Sequence, residues 1–267
     1  MTTLAHQSTA IDHDLLRRGH VALRHDGAVL TVTLNRPQVR NAQLPATWEA
    51  LANIGSQVPD EVRVVIVCGE GSSFSAGLDR SAFDPSPGSL LTRLATATTP
   101  VADEAIAGFQ LAFSWLSDPR FVSIAAVAGH AIGAGFQLAL ACDLIVVARD
   151  AQFRMAEVGL GLVPDLGGTA RLLRSVGYQR ALEICATARH VGAEEAVRIG
   201  LALASVPVAE LDAAVADLAA ALIENPPESV RAITSLMAAA LVNSPTEQLA
   251  AERTAQIGLL RAMMRAG

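Results

Sequence analysis

At 267 residues the chain is long enough for one large domain or two small ones, with a sizeable core. Hydrophobic residues make up 51% and charged residues 17%, which excludes a disordered chain, and a net charge of −6 argues against nucleic acid as the main partner. All twenty basic residues are Arg, so neither Schiff-base nor Walker-type lysine chemistry is open to it.

Residues 1–18 are polar and unpatterned, and are expected to form a mobile arm without the basic and apolar regions of a secretory leader. From His20 to Leu34 two β-rich runs flank Asp26-Gly27, a hairpin signal, and Asn35-Arg36-Pro37 stops the second run. Helical spacing follows from Pro45 to Val58, then a buried strand over Val62–Cys68 and a loop of small residues over Gly69–Asp79. Residues 81–100, rich in Ser, Thr, Pro and Gly, read as a mobile flap or lid, and Ala102–Leu116 as a helix.

Phe121–Ala148 is apolar and long enough to span a bilayer. Its interior opposes that, because Gly129, Gly133 and Gly135 crowd the middle beside His130 and Gln137. Asp143 in lipid would cost about 3 kcal/mol. The better parse is a buried strand (122–127), a glycine-rich turn, a buried helix (134–142) and a second buried strand (144–148). A short strand, a Pro-Asp-Leu-Gly-Gly turn and a helix start fill residues 151–177, and beyond Ala193 the chain reads as almost wholly helical. The pattern predicts an α/β core over 19–207 and a helical section over 208–267. Cys68, Cys142 and Cys185, an odd number set in apolar runs, read as reduced residues of a cytoplasmic protein.

Chemistry concentrates at two glycine-rich turns, each after a core strand. Gly133-Ala134-Gly135 opens a helix, but Leu138 stands where a dinucleotide fingerprint wants a third small residue. Free N–H groups at that helix start suit an oxyanion instead, and an empty tight turn is the plainer reading. Ser75-Ala76-Gly77-Leu78-Asp79 is a second turn of the same kind. Together the two could offer two N–H groups to one carbonyl oxygen. Glu157, among Met155, Ala156, Val158 and Leu160, reads as either a salt-bridged carboxylate or a proton carrier with a raised pKa. Asp165 reads first as a turn residue, Asp143 as a structural partner of backbone or Arg, and Gln137 as a donor or a satisfied core amide. The six histidines show no metal spacing. Ser72, Ser73 and Ser75 lack the context of a serine nucleophile and show no placed Ser/His pair.

Taken together, these segments resemble the crotonase (enoyl-CoA hydratase/isomerase) superfamily. The pieces that match are Asn35–Ala42, Phe74–Asp79, Ile124–Gly135 with Cys142-Asp143, and Glu157–Gly168 with Arg171, in the family's order from about residue 20 to 260. The resemblance implies an α/β spiral of ββα units, related to the ClpP fold, with C-terminal helices that assemble trimers or hexamers. It implies an acyl-CoA thioester as substrate, with CoA as part of that substrate and neither a separate cofactor nor a metal. Residue by residue, it puts the oxyanion amides at Leu78 and Ala134. CoA contacts fall to Arg40, Ala42, Ala76, Gly77, Leu78, Asp79 and Gly133.

Family hydratases use two glutamates; one matches Glu157, and the other position holds Gln137, which carries no proton. A lone carboxylate there resembles the family's Δ3-Δ2 enoyl-CoA isomerases, and Asp165 matches an acid of dienoyl-CoA isomerases. Isomerisation is therefore expected ahead of hydration. A hydratase proper and a catalytically silent acyl-CoA binder are the alternatives. The family's last helix usually runs on to a basic close, so the resemblance implies that part of the pocket's cover is missing or comes from another subunit.

Overall fold

The computed structural model describes residues 11–266, with side chains as far as Arg265. Among the described residues the strands are β1 (Val21–Asp26), β2 (Val29–Leu34), β3 (Val64–Gly69), β4 (Val122–Val127), β5 (His130–Ile132), β6 (Leu144–Ala148), β7 (Gln152–Arg154), β8 (Val191–Gly192) and β9 (Ala204–Val206). The expected hairpin is β1–β2, turning at Gly27 with φ of +55°. From β2 onward every neighbour pairs parallel, giving a six-stranded sheet of order β1-β2-β3-β4-β6-β9. A smaller sheet, β5-β7-β8, carries the segments that follow β4 and β6.

The central strands are apolar but for Ser123 of β4, because both faces of the sheet are covered. Val65, Val67, Ala125, Val127, Ile145 and Val147 alternate onto the main core. Helices α2 (Pro45–Ser56), α4 (Thr99–Ser114) and α5 (Ala134–Ala141) contribute buried side chains to that same core. Val64, Ile124, Ala126, Val146 and Ala148 alternate onto the other face, against Leu211, Val215 and Ala219 of α9 (Leu211–Glu224). Thus α9, which the pattern placed in the helical section, is part of the sheet's cover. Arg63 fastens its end by donating to the carbonyls of Leu222, Ile223 and Asn225.

Three expectations change. Within the presumed arm stands α1 (His13–Gly19): Asp12 accepts from the Asp14 and Leu15 amides, His20 closes it in a left-handed conformation, and Leu16 is buried. Residues 1–10 of that arm lie outside the described residues. The presumed lid holds a 3-10 turn (Arg80–Phe83) and α3 (Leu90–Thr96), capped by Ser89, before α4 begins at Thr99. β9 adds a strand where helix was expected; its three residues are too few for a periodic signal. Helices α6 (Gly168–Val176), α7 (Tyr178–Thr187) and α8 (Ala193–Arg198) complete the core, and α10 (Pro227–Ala240) and α11 (Pro245–Ala266) end the chain. No helix among the described residues is long and apolar enough to cross a membrane.

Candidate active site

The two glycine-rich turns meet. After β3, Ser75 joins the start of the small sheet, its N–H donating to the His130 carbonyl and its carbonyl accepting from the Ile132 amide. Two residues on, Gly77 has φ of +84° and lies flat against the start of α5. A Cβ there would overlap the Ile132 carbonyl oxygen and stand 3.4 Å from the Ala134 nitrogen. Gln43 bridges both sides of Leu78, donating to the Gly77 carbonyl at 2.7 Å and accepting from the Asp79 amide at 2.8 Å. That leaves the Leu78 N–H on the side away from Gln43, without an acceptor among the described residues. Ala134 is the first residue of α5, and its N–H likewise has none.

Glu157 stands over the same helix start. It begins a 3-10 turn (Glu157–Leu160) just after β7, whose Arg154 carbonyl accepts from the Gly133 amide. A Cβ on Gly133 would lie 3.4 Å from Glu157 Oε1 and 4.0 Å from Oε2, so the carboxylate faces the residue before Ala134. Gln137, one turn into α5 and 1% exposed, orients it. Gln137 Oε1 accepts from the amides of Leu166 (2.9 Å) and Gly168 (3.2 Å). Those donors fix the side-chain amide, so Nε2 is the end that donates to Glu157 Oε1, at 2.8 Å. Glu157 Oε2 is buried with no hydrogen-bond partner. Burial pushes the Glu157 carboxyl above the ordinary carboxylate range; the backbone amides and Gln137 oppose that, and the charge of Asp165 adds to it. Asp165, although exposed, is itself raised by partial desolvation of its carboxyl, and its carbonyl accepts from Gln110 of α4.

The comparisons with known proteins bear on this geometry. Residues 24–262 match the family described as enoyl-CoA hydratase/isomerase. The chain belongs to that family. Among solved structures, it is similar to a protein from Thermobifida fusca YX provisionally called an enoyl-CoA hydratase, in complex with CoA. The TM-score is 0.91 at 43% identity, covering 97% of this chain and 100% of that one. The same protein in complex with acetoacetyl-CoA gives a TM-score of 0.90 at 44% identity, over 95% of this chain and 100% of that one. The short-chain-enoyl-CoA hydratase of Clostridium acetobutylicum is 34% identical over 215 residues, 79% of this chain and 78% of the relative.

Other residues of this hydratase/isomerase family chain serve the scaffold. Asp143 accepts from the Ser123 amide and hydroxyl, the backbone role expected of it. Arg171 donates to the Leu140 and Ala141 carbonyls and so closes the C-terminus of α5. Arg40, exposed, and Asn41 both take left-handed backbone conformations. Buried Asn41 braces the loop by donating to the Glu70 and Ser73 carbonyls and accepting from the Arg36 amide. Sequence reasoning grouped Asn41 with the matching segment but did not see this brace. Ala42 is half-buried beside it, and the Ala76 amide donates to the Arg40 carbonyl. Ser73 does meet a histidine, with 3.3 Å from its hydroxyl to His130 Nδ1, but Ser73 is buried and closed to a substrate. Among the described residues no three His, Cys, Asp or Glu side chains group to hold a metal.

Asp79, expected among the CoA contacts, is half-buried in an ion pair with Arg36 and accepts from the Ser81 amide. These interactions, the Ser81 amide first, hold its carboxyl down to about 2. Its contribution to folding is complete above the ordinary 3.8 and is lost as pH falls through about 2. Asp79→Asn is therefore expected to melt earlier than wild type at neutral pH, with the gap closing between pH 4 and pH 2 in thermal melts (both limits about).

Proposed function

We propose that this family member binds an acyl-CoA thioester and moves protons at the carbon beside its carbonyl. Leu78 and Ala134 would donate to the thioester oxygen, and Glu157 would carry the proton. The observation that supports this most is Glu157 Oε2, buried, unpartnered and set over the helix start that presents Ala134. The carboxylate takes a proton from C2, the electron pair passes into the thioester, and the oxygen gains negative charge that the two amides stabilise. Each such donor is typically worth a factor of about 10²–10³ in rate. Return of the proton to C4 completes an isomerisation. In hydration, Glu157 takes a proton from water as its oxygen adds to C3 of a 2-enoyl thioester, then passes that proton to C2.

The names of the relatives favour hydration, and hydration of a 2-enoyl-CoA takes first place on that ground. The isomerase preference drawn from the sequence rests on Gln137 and on the match of Asp165. Gln137 exchanges no proton, and one of its two amide N–H groups is spent on Glu157. Asp165, exposed but close enough for its charge to act on Glu157, is the candidate second acid for a longer conjugated substrate. Incubation with crotonyl-, 3-hexenoyl- and 2,4-dienoyl-CoA, with products identified by mass and ultraviolet spectrum, separates these outcomes. Saturable binding of all three without turnover would leave only a silent binder. Gln137→Glu sets a second carboxyl against Glu157 Oε1, and is expected to raise crotonyl-CoA hydration by about 10-fold or more. It should also move the acid limb of the pH–rate profile upward, because like charges disfavour ionisation.

We further infer self-association through α10 and α11. Neither helix has a buried residue among the described side chains, and Ile233, Met237, Leu249 and Met263 are exposed on them. A trimer or hexamer by light scattering supports this; a monomer at micromolar concentration opposes it.

A further inference from the structure

We infer that Gln43, acting through Ser75, is a positioning residue that sets the Leu78 amide for the thioester oxygen; the inference rests on the function proposed above. Gln43 and Ser75 are both fully buried, although each is polar. Trp48 Nε1, which can only donate, gives its hydrogen to Gln43 Oε1 at 2.7 Å and so fixes which way the side-chain amide faces. Gln43 Nε2 then donates to Ser75 Oγ at 3.1 Å. The Ser75 hydroxyl donates to the Asn41 carbonyl at 2.8 Å and accepts from the Gly77 amide at 3.2 Å, which uses its donor and both lone pairs.

The peptide before Leu78 is thus held twice from Gln43: by its main chain, which brackets Leu78, and by its side chain through Ser75. Ser75 also reaches the other donor. A Cβ on Gly135 would stand 2.8 Å from Ser75 Cβ and 3.0 Å from its Oγ, so Ser75 packs into the first turn of α5, beside Ala134. One buried network therefore ties the two oxyanion donors of the proposed function into a single body. Trp48 anchors it in the core, its ring 4.9 Å from that of Phe109. A hydrogen-bonded network of this kind rigidifies when complete and fails at its weakest member.

The test uses the full-length protein and butyryl-CoA carrying ¹³C at the thioester carbonyl. Bound to wild type, the carbonyl stretch should fall below its value in solution, because two N–H donors polarise it. Gln43→Met keeps the volume and removes both side-chain bonds. It is expected to lose a large part of that shift and, with crotonyl-CoA as the substrate, to lower kcat by about 10-fold, less than the loss of a whole donor. KM should stay within about 2-fold, and the pH limb assigned to Glu157 should not move. Trp48→Phe, which frees the amide orientation but leaves the core filled, should show the same changes at smaller size and serves if Gln43→Met does not fold. A folded variant with the wild-type carbonyl stretch and kcat would overturn the role of Gln43. A wild-type complex with no shift would overturn the oxyanion reading as well.

Discussion

Glu157→Gln is expected to lower turnover of any acyl-CoA substrate by a factor of about 10²–10⁴ while leaving thioester affinity nearly unchanged. The substitution keeps the shape of the side chain and removes only its capacity to exchange a proton. Gln137 Nε2 already donates to Oε1, so an oxygen of the new amide can keep that bond, and the amide nitrogen falls where Oε2 was. Steady-state kinetics beside equilibrium binding of a saturated acyl-CoA would check it; a parallel loss of affinity would point to a binding role instead. Wild-type activity that needs the ionised carboxylate should fall as pH drops through a value above the ordinary 4.5. The stability effect has the opposite sense. A folded-state pKa above the unfolded one means that native Glu157 loses stability as pH rises through that interval. Glu157→Gln should consequently melt no earlier than wild type at neutral pH.

Gly77→Ala carries the second large effect. The backbone there has φ of +84°, which costs an L-residue about 1–2 kcal/mol, and the new methyl would overlap the Ile132 carbonyl oxygen. Relief requires the loop to move away from α5, and the Leu78 amide moves with it. A loss of about 10²-fold or more in kcat is expected, together with a lower Tm. Gly88→Ala is the control: nothing lies within 4 Å of its added methyl, and activity should stay near wild type. Equal activity of the two variants would mean that the approach of Gly77 to Ala134 has no bearing on catalysis.

Much of this fold is legible in the sequence because the central strands are covered on both faces and read as unbroken apolar runs. The hairpin at Gly27, the buried pair β4 and β6, and the glycine turn between them follow from periodicity and turn chemistry. What stayed hidden has physical causes. α1 is seven residues long and stands on a cap and one buried leucine rather than on a periodic stripe. β5, β8 and β9 are two or three residues each, and their pairing comes from distant strands. At the site, two glycine turns and an acid in apolar company pointed to a pair of free amides and to Glu157, and only the family resemblance put the amides at Leu78 and Ala134. Asp79 could not, since its ion pair with Arg36 spans 43 positions of the chain. The buried network of Gln43 and Ser75 was missed for the same reason. A lone Gln before a helix gives no signal until its partner 32 residues away is placed beside it.

In the proposed chemistry, a thioester held by Leu78 and Ala134 is enolised by Glu157. The most direct test of that step is deuterium exchange into C2 of butyryl-CoA in D₂O, followed by NMR, since this substrate can be neither hydrated nor isomerised. Exchange at C2 that depends on wild-type enzyme and disappears in Glu157→Gln is the expected result. Saturable binding without exchange, or exchange that persists in Glu157→Gln, would contradict it.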